Sequence, residues 1–388
     1  NKYLALPLFV GVMALVFFIT FGPLGSWMTE GLDALITDRF TPFVRASLES
    51  VHASGWAVSL VCDGVIKGVG SIVSFFPQIL LLFFSCPSWR TADIWRGWPL
   101  SWTSSCGKSD FRPVLVPMLI GFGCSVPAIM ATRTLSSERD RRLTVLLVPF
   151  MSCSAKLPIY AMFTAAFFQE NRALIMISLY VLGMLVGILC GFVMKKLLFA
   201  GEPVPFVMEL PEYRMPAAQS VLLHMWEKAK AFMKKAFTVI FIATIVIWFL
   251  QSFDLRFNMV ADSQNSILAD LGHLVAPVLA PLGFGDWRAA TALLTGFSAK
   301  EAVVSTFAVL LGAGETSQLT VLLGDIFTPL TAYCFLVFCL LYTPCVAAVA
   351  AVRKELGGMR QAGGVVLFQT CIAWVVAFVV YRVGLFLL

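Results

Sequence analysis

Runs of about twenty apolar residues recur along the chain, each long enough to cross the ~30 Å hydrocarbon core of a bilayer as a helix. They predict spans at about 4–22, 68–84, 143–168, 173–194, 236–253, 329–352 and 365–388. Two further apolar segments, about 113–132 and 289–312, are interrupted. One reads Leu119-Ile120-Gly121-Phe122-Gly123-Cys124-Ser125-Val126-Pro127-Ala128-Ile129, the other Leu294-Thr295-Gly296-Phe297-Ser298-Ala299-Lys300-Glu301-Ala302-Val303-Val304. Both carry a Gly-Phe step where a membrane helix should run on. A break there frees backbone carbonyls and amides, which persist at membrane depth only where they line a cavity or bind something. Matching Gly-broken segments in the two halves of a membrane protein point to a transport site. The expected fold is therefore an all-α polytopic membrane protein of about 7–9 transmembrane helices, with two Gly-broken gate segments in an inverted repeat.

Polar stretches separate these units. Residues 26–66 are amphipathic. Residues 195–235 are basic, with Lys228, Lys230, Lys234 and Lys235 spaced around Met225, Trp226, Phe232 and Met233 as on a helix lying on a membrane surface; His224 reads as a surface residue there. The expected organisation is a first membrane helix plus amphipathic stretch (1–67), a first gate unit (68–194), a cytoplasmic basic linker (195–235), and a second gate unit with the C-terminal helices (236–388).

Composition agrees. The chain is 59% hydrophobic and 13% charged, with a mean hydropathy of +0.87, against about 45–50% apolar and about 25% charged for soluble domains. The net charge of +6 sits in short inter-helix runs with no extended basic face interleaved with aromatics, so no nucleic-acid partner is expected. The runs Arg133-Arg139-Arg141-Arg142, Lys195-Lys196 and Arg353-Lys354-Arg360 should face the cytoplasm. If both gate segments span fully, the parity fails; if each enters and leaves on one face, all three runs fall inside. The first gate then opens from the cytoplasm and the second from the outer face, beside Asp254, Asp262, Asp270 and Asp286. This places the N-terminus inside and the C-terminus outside.

Residues 85–112 fit no element. Trp89, Trp95, Trp98 and Trp102 crowd into 14 residues beside Arg and Pro. Back-translation allows the frame displaced by one base to read LSLLEDSGYMARVAFIMDILLRKIGLS, which has helical periodicity, so a reading-frame error restored near Arg112-Pro113 is expected. Gly107-Lys108-Ser109 mimics the tail of a phosphate-binding loop, but the first glycine of G-x-x-x-x-G-K-S would fall on Trp102.

Four stretches carry a family likeness. They are Gly121-Phe122-Gly123-Cys124-Ser125-Val126-Pro127-Ala128-Ile129-Met130-Ala131-Thr132-Arg133, Pro149-Phe150-Met151-Ser152-Cys153-Ser154-Ala155-Lys156-Leu157-Pro158-Ile159-Tyr160, Gly296-Phe297-Ser298-Ala299-Lys300-Glu301 and Tyr342-Thr343-Pro344-Cys345-Val346-Ala347. With them the chain resembles the membrane domain of the FeoB ferrous iron transporters over nearly its whole length, and the displaced-frame peptide resembles that family's sequence at its own place. The resemblance implies GTP-linked uptake of Fe²⁺ across the bacterial inner membrane. It implies that GTP and Mg²⁺ belong to a guanine-nucleotide-binding domain that normally precedes the membrane domain. The chain opens Asn1-Lys2-Tyr3 with no initiator Met, so it is expected to be cut from a longer polypeptide and, alone, to be no enzyme. The partners implied are the lipid membrane, Fe²⁺, the cytoplasmic GTP-binding domain of the same polypeptide, a small cytoplasmic accessory protein and further copies in a homo-oligomer.

Fe²⁺ accepts thiolate, imidazole and carboxylate ligands. None of His52, His224 and His273 lies in a gate motif, which leaves the thiols. Ten cysteines are present without a C-x-x-C pair or zinc-type spacing. Cys124 follows the first Gly-Phe-Gly break. Cys153 lies between Pro149 and Pro158, both helix-disrupting, with Ser152 and Ser154 as oxygen donors and Lys156 favouring thiolate. Cys345 follows Pro344. These three are the candidate metal ligands. Gly121, Gly123 and Gly296 are expected as backbone hinges, with Ser125, Pro127, Met130, Ser152, Ser154, Ser298, Lys300 and Glu301 along the path or gate. Lys300 and Glu301 are expected to pair with each other or with another helix, or Glu301 to contact the cation or relay protons. Cys62, Cys190, Cys334, Cys339 and Cys371 are expected to pack as small hydrophobes. Two other readings remain open: a gate-type permease for another substrate such as nucleosides, and a membrane metal sensor without flux. No Ser/Lys, paired-Asp or H-E-x-x-H constellation in a span points to an intramembrane enzyme.

Overall fold

The computed structural model describes Phe18, residues 22–52 and 54–66, short runs between 69 and 81, and residues 112–135, 137–197, 218–256, 258–260, 263–312 and 316–387. The expected span at 4–22, apart from Phe18 and Gly22, and the stretch 85–112, apart from Arg112, lie outside the described residues, as does Gly107-Lys108-Ser109. Among the described residues there is no strand, only an isolated bridge between Phe253 and Met259.

The residues divide into two units. The first comprises Asn1–Val116 and Gly201–Ile245. Its α1 (Pro23–Ala34) runs through a π-helical turn, Leu35–Phe40, into α2 (Thr41–Ser50), and the short α3 (Gly55–Ser59) follows. This is the amphipathic stretch expected at 26–66. Trp27, Phe43 and Trp56 stand exposed on it, as on a segment lying against a membrane surface.

The second unit comprises Pro117–Ala200 and Val246–Leu388. The first gate segment is α4 (Arg112–Gly121) and α5 (Ser125–Ala131). Then α6 (Glu138–Leu147) and α7 (Leu157–Phe167) form one interrupted span, and α8 (Arg172–Leu197) is continuous. After α9 (Ala218–Ser252) come α10 (Ile267–Leu279), the second gate segment α11 (Trp287–Thr295) and α12 (Ala302–Leu310), and the short α13 (Thr316–Leu322). A second interrupted span, α14 (Pro329–Leu341) and α15 (Val346–Leu356), precedes the long α16 (Met359–Leu387). The order recurs: a broken gate, a broken span, then a continuous helix.

Four helical stretches are long and apolar enough to cross a membrane: Glu138–Phe167, Arg172–Leu197, Pro329–Leu356 and Met359–Phe386. They coincide with the spans expected at 143–168, 173–194, 329–352 and 365–388. A fifth is the pair Ile267–Leu282 and Trp287–Thr295, bent by 107°. The count among the described residues is thus four or five, short of the expected 7–9. The segment expected at 236–253 forms the end of the 35-residue α9, of which Phe241–Ser252 is apolar. The bent pair escaped the pattern because Asp270 and His273 interrupt its hydropathy.

The α8 helix shows why its sequence gives a membrane helix. Leu174, Ile177, Val181, Leu185, Ile188 and Phe192 are exposed along one side, an apolar face suited to lipid. The opposite side carries Gly183, where a Cβ would stand 2.9 Å from the Phe150 carbonyl oxygen. The glycine therefore lets α8 press against the break between α6 and α7. Beside it, Phe163, Phe307, Phe327 and Phe335 pack into one aromatic core, with ring centroids 5.0 Å apart for Phe163–Phe335 and 5.2 Å for Phe163–Phe327. Side-chain caps start the helices: Ser137 for α6, Ser266 for α10, Asp286 for α11, and a Thr328–Thr331 capping box for α14.

Candidate functional site

Each gate break is bonded to the broken span that follows it. In the first gate α4 ends in a turn in which Gly123 N–H donates to the Ile120 carbonyl at 3.0 Å, and Cys124 is extended at φ −152°. The Gly123 carbonyl, freed by this turn, accepts the Ser154 N–H at 3.2 Å and the Ser154 hydroxyl at 3.1 Å. In the second gate the Phe297 carbonyl accepts the Val346 N–H at 2.9 Å. Ser154 follows Cys153 and Val346 follows Cys345, so the same joint occurs in both halves.

These joints gather the candidate ligands. Cys124, Cys153 and Cys345 each stand at the residue preceding a helical turn or helix, each is half-buried, and each thiol is free. Cys124 lies within electrostatic range of Cys345, Cys153 and Glu301, and Cys345 within that of Cys153 and Glu301. Among the described residues no three His, Cys, Asp or Glu side chains close around one point as metal ligands would. The thiols are neighbours on separate segments rather than a finished coordination shell.

The other path and gate residues lie around them. Gly121, Gly123, Ser125 and Pro127 are buried and Met130 is half-buried at the first gate. The Ser152 hydroxyl donates to Tyr160 Oη at 3.2 Å, and the Ser298 hydroxyl to the Thr295 carbonyl at 2.8 Å. Gly296 is buried in close contact: a Cβ there would meet Tyr342 Oη and Val303 Cγ2, each at 2.5 Å. Lys300 does not pair with Glu301. Its ammonium donates to the Thr343 carbonyl at 2.7 Å and lies 3.1 Å from the Tyr342 ring centroid, while no ion pair to Glu301 forms among the described residues. Of the cysteines expected to pack, Cys62, Cys190, Cys334 and Cys339 are buried, but Cys371 is exposed, because its position on α16 faces outward with Leu367, Val375 and Val379.

Two features were not legible in sequence. Lys156, expected there only to favour a thiolate at Cys153, is buried like Lys300 and donates to the Leu340 carbonyl at 2.6 Å and the Met151 carbonyl at 3.3 Å. The tripeptide Ser-Ala-Lys, occurring at Ser154-Ala155-Lys156 and Ser298-Ala299-Lys300, is the signal that could have paired them. The second is an ion pair. Arg133 Nη2 lies 2.7 Å from Glu355 Oε1, with Nε 2.9 Å from both carboxylate oxygens. It ties the end of the first gate to the end of α15, and nothing local in the sequence announces it.

Comparison with known proteins agrees with this architecture. The family profile "Ferrous iron transport protein B C terminus" matches residues 176–228, and the profile "Nucleoside recognition", a gate family, matches residues 108–167 and 233–359. The Fe(2+) transporter FeoB of Staphylococcus aureus is 39% identical over 99% of this chain and 58% of its own length. That of Methanocaldococcus jannaschii is 36% identical over 92% of this chain and 54% of its own length. A Fe(2+) transport protein A/Fe(2+) transporter FeoB fusion protein of Porphyromonas gingivalis is 34% identical over 99% and 50%. The chain thus spans between half and three-fifths of the length of these relatives. No solved structure matches it. With the Gly-Phe-Gly-Cys, Ser-Cys-Ser-Ala-Lys and Gly-Phe-Ser-Ala-Lys-Glu breaks joined as described and likeness across almost every residue, the chain belongs to the ferrous iron transport protein B (FeoB) family.

Proposed function

We propose that the chain is the permease part of a ferrous iron transporter of the bacterial inner membrane. The observation that carries this reading is the matched pair of joints, Gly123–Ser154 and Phe297–Val346, each setting a cysteine (Cys153, Cys345) at a helix break of an apolar fold, within electrostatic range of Cys124. Fe²⁺ is borderline in softness, so two or three thiolates with one carboxylate would replace part of its hydration shell. A transport site must also let its ion go, and donors on separate gate segments suit that: shifting one segment removes one ligand. Gly121, Gly123 and Gly296 serve as the hinges. Because Gly123 is bonded to Ser154 and Phe297 to Val346, motion of either gate carries a cysteine with it.

Several elements of the reading belong to the longer polypeptide. A cytoplasmic GTP-binding domain controls the gates, so GTP and Mg²⁺ act there and this chain contributes no hydrolysis. A small cytoplasmic accessory protein is a partner, in keeping with the fusion relative, and several copies assemble together. The two gates open to opposite faces as an inverted repeat.

The test is anaerobic ⁵⁵Fe²⁺ uptake by an iron-transport-deficient bacterium expressing the chain joined to its nucleotide domain. Cys124→Ser is expected to lower uptake at least about tenfold at equal expression; unchanged uptake would demote that thiol to packing. The gate profile named for nucleoside recognition favours a second reading, a nucleoside permease. Nucleoside uptake insensitive to Cys124→Ser, without iron uptake, would favour it. Iron binding without flux in any well-expressed form would favour a metal sensor.

A further inference from the structure

A helix that stops inside the membrane leaves carbonyl oxygens unpaired at its end, and oxygen is the donor that hard cations such as Ca²⁺ and Mg²⁺ prefer. The break after α14 is such a place. The Phe338 carbonyl still accepts the Tyr342 N–H at 2.8 Å, but the carbonyls of Leu340 and Thr343 receive lysines. Lys156, arriving from the start of α7, takes Leu340 at 2.6 Å and also Met151 at 3.3 Å. Lys300, arriving from the second gate, takes Thr343 at 2.7 Å and places its ammonium over the Tyr342 ring, 3.1 Å from the centroid, where a cation is attracted to the ring face. Both lysines are almost fully buried, 3% and 2% exposed. Neither forms an ion pair among the described residues. Both lie within electrostatic range of Cys153, Cys339 and Cys345, and Lys300 within that of Lys156.

A purely structural anchor could have been a neutral amide. Two buried ammonium groups without carboxylate partners are an expensive way to pin a loop. What they add is occupation: the oxygens and the ring face that would hold a free cation already hold tethered ones. A hard divalent ion approaching here finds these oxygens already taken by tethered lysine donors. A borderline ion finds them taken too but gains metal–sulfur bonds. We infer that Lys156 and Lys300 are specificity-determining residues that deny the carbonyl oxygens of the α14–α15 break to hard cations and leave the thiols, with the single Glu301 carboxylate, as the donors on offer. This deepens the transport reading and rests on it.

The test uses the purified full chain with two probes, Co²⁺ followed by thiolate charge-transfer absorption and ⁴⁵Ca²⁺ by equilibrium dialysis. The unaltered chain should show the Co²⁺ band and neither bind Ca²⁺ nor lose the band to excess Ca²⁺. The K156M/K300M chain should retain at least about tenfold more ⁴⁵Ca²⁺ on dialysis than the unaltered chain's background and lose its Co²⁺ band to Ca²⁺, whereas K156R/K300R, which keeps both side-chain donors, should exclude Ca²⁺ as the unaltered chain does. A K156M/K300M chain that retains the Co²⁺ band yet gains no Ca²⁺ binding overturns the inference. So does an unaltered chain in which Ca²⁺ displaces Co²⁺ at comparable concentration, a result that stands even if the variants fail to fold. A missing Co²⁺ band in the unaltered chain counts instead against the thiol path, while its Ca²⁺ arm still reads the lysines.

Discussion

At the scale of single residues, the site is set by what each position can tolerate. Gly296 is the clearest case. It sits where the second gate passes Tyr342, and an added Cβ would press on Tyr342 Oη and Val303 Cγ2, each at 2.5 Å. Tyr342 cannot yield freely, since its hydroxyl donates to the Leu293 carbonyl at 3.3 Å and its ring carries the Lys300 ammonium. Gly296→Ala should therefore destabilise the chain by about 1–3 kcal/mol, read as a lower thermal unfolding midpoint in detergent, and should slow iron uptake more than Gly358→Ala, whose Cβ meets nothing within 4 Å. Equal effects of the two changes would sink this account. The same scale shows what sequence can and cannot say. Cys124, Cys153 and Cys345 are legible because thiols beside helix-breaking glycine or proline are chemically conspicuous. Lys156 is not, because its partner carbonyl at Leu340 lies 184 positions away in the chain. Of the two partners open to Lys300, Glu301 or another helix, sequence could not choose for a related reason. Adjacent opposite charges suggest a local pair, yet the Thr343 carbonyl, 43 positions away, takes the ammonium.

At the scale of elements, the breaks need to be held in register, and the Arg133–Glu355 pair is placed to do that. Glu355 is 3% exposed in its side chain and Arg133 48%, so the carboxylate is the buried partner and loses most if left alone. Glu355→Gln should lower stability by about 1–3 kcal/mol, and combining it with Arg133→Gln should cost less than the sum of the two single changes. Additive losses in the cycle would show that the two ends do not couple. Span detection from hydropathy worked where a helix is apolar all round, as in α8 and α16. It failed for the pair bent between α10 and α11, whose membrane face is interrupted by Asp270 and His273. It marked the apolar end of α9 without the polar turns that precede it in the same helix. Hydropathy reports where a helix turns apolar and not where it begins; α9 carries its helical register unbroken from Ala218 to Ser252, about 50 Å at the usual rise, longer than a bilayer core.

At the scale of the whole molecule, charge and geometry bear jointly on topology. The Arg133–Glu355 contact draws the end of the first gate and the end of α15 together, and with them the basic runs around Arg139–Arg142 and Arg353–Arg360. Two such runs on one face are what an inside-positive membrane protein requires. Within the second unit the recurring order of broken gate, broken span and continuous helix is the pattern an internal repeat would leave, and the matching joints at Gly123–Ser154 and Phe297–Val346 reinforce it. If the repeat is inverted, Glu138 and Arg360 share the cytoplasmic face while Asp270, exposed at the start of α10, looks outward. Single cysteines at these three positions, in a chain whose ten native cysteines are replaced by alanine or serine, would report it through a membrane-impermeant maleimide. Asp270→Cys should react in intact cells, and Glu138→Cys and Arg360→Cys only after permeabilisation. Reaction of positions 138 and 360 from opposite sides would break the link between ion pair and topology. Reaction of all three from one side would keep that link but remove the inverted repeat, and with it the alternating use of the two gates.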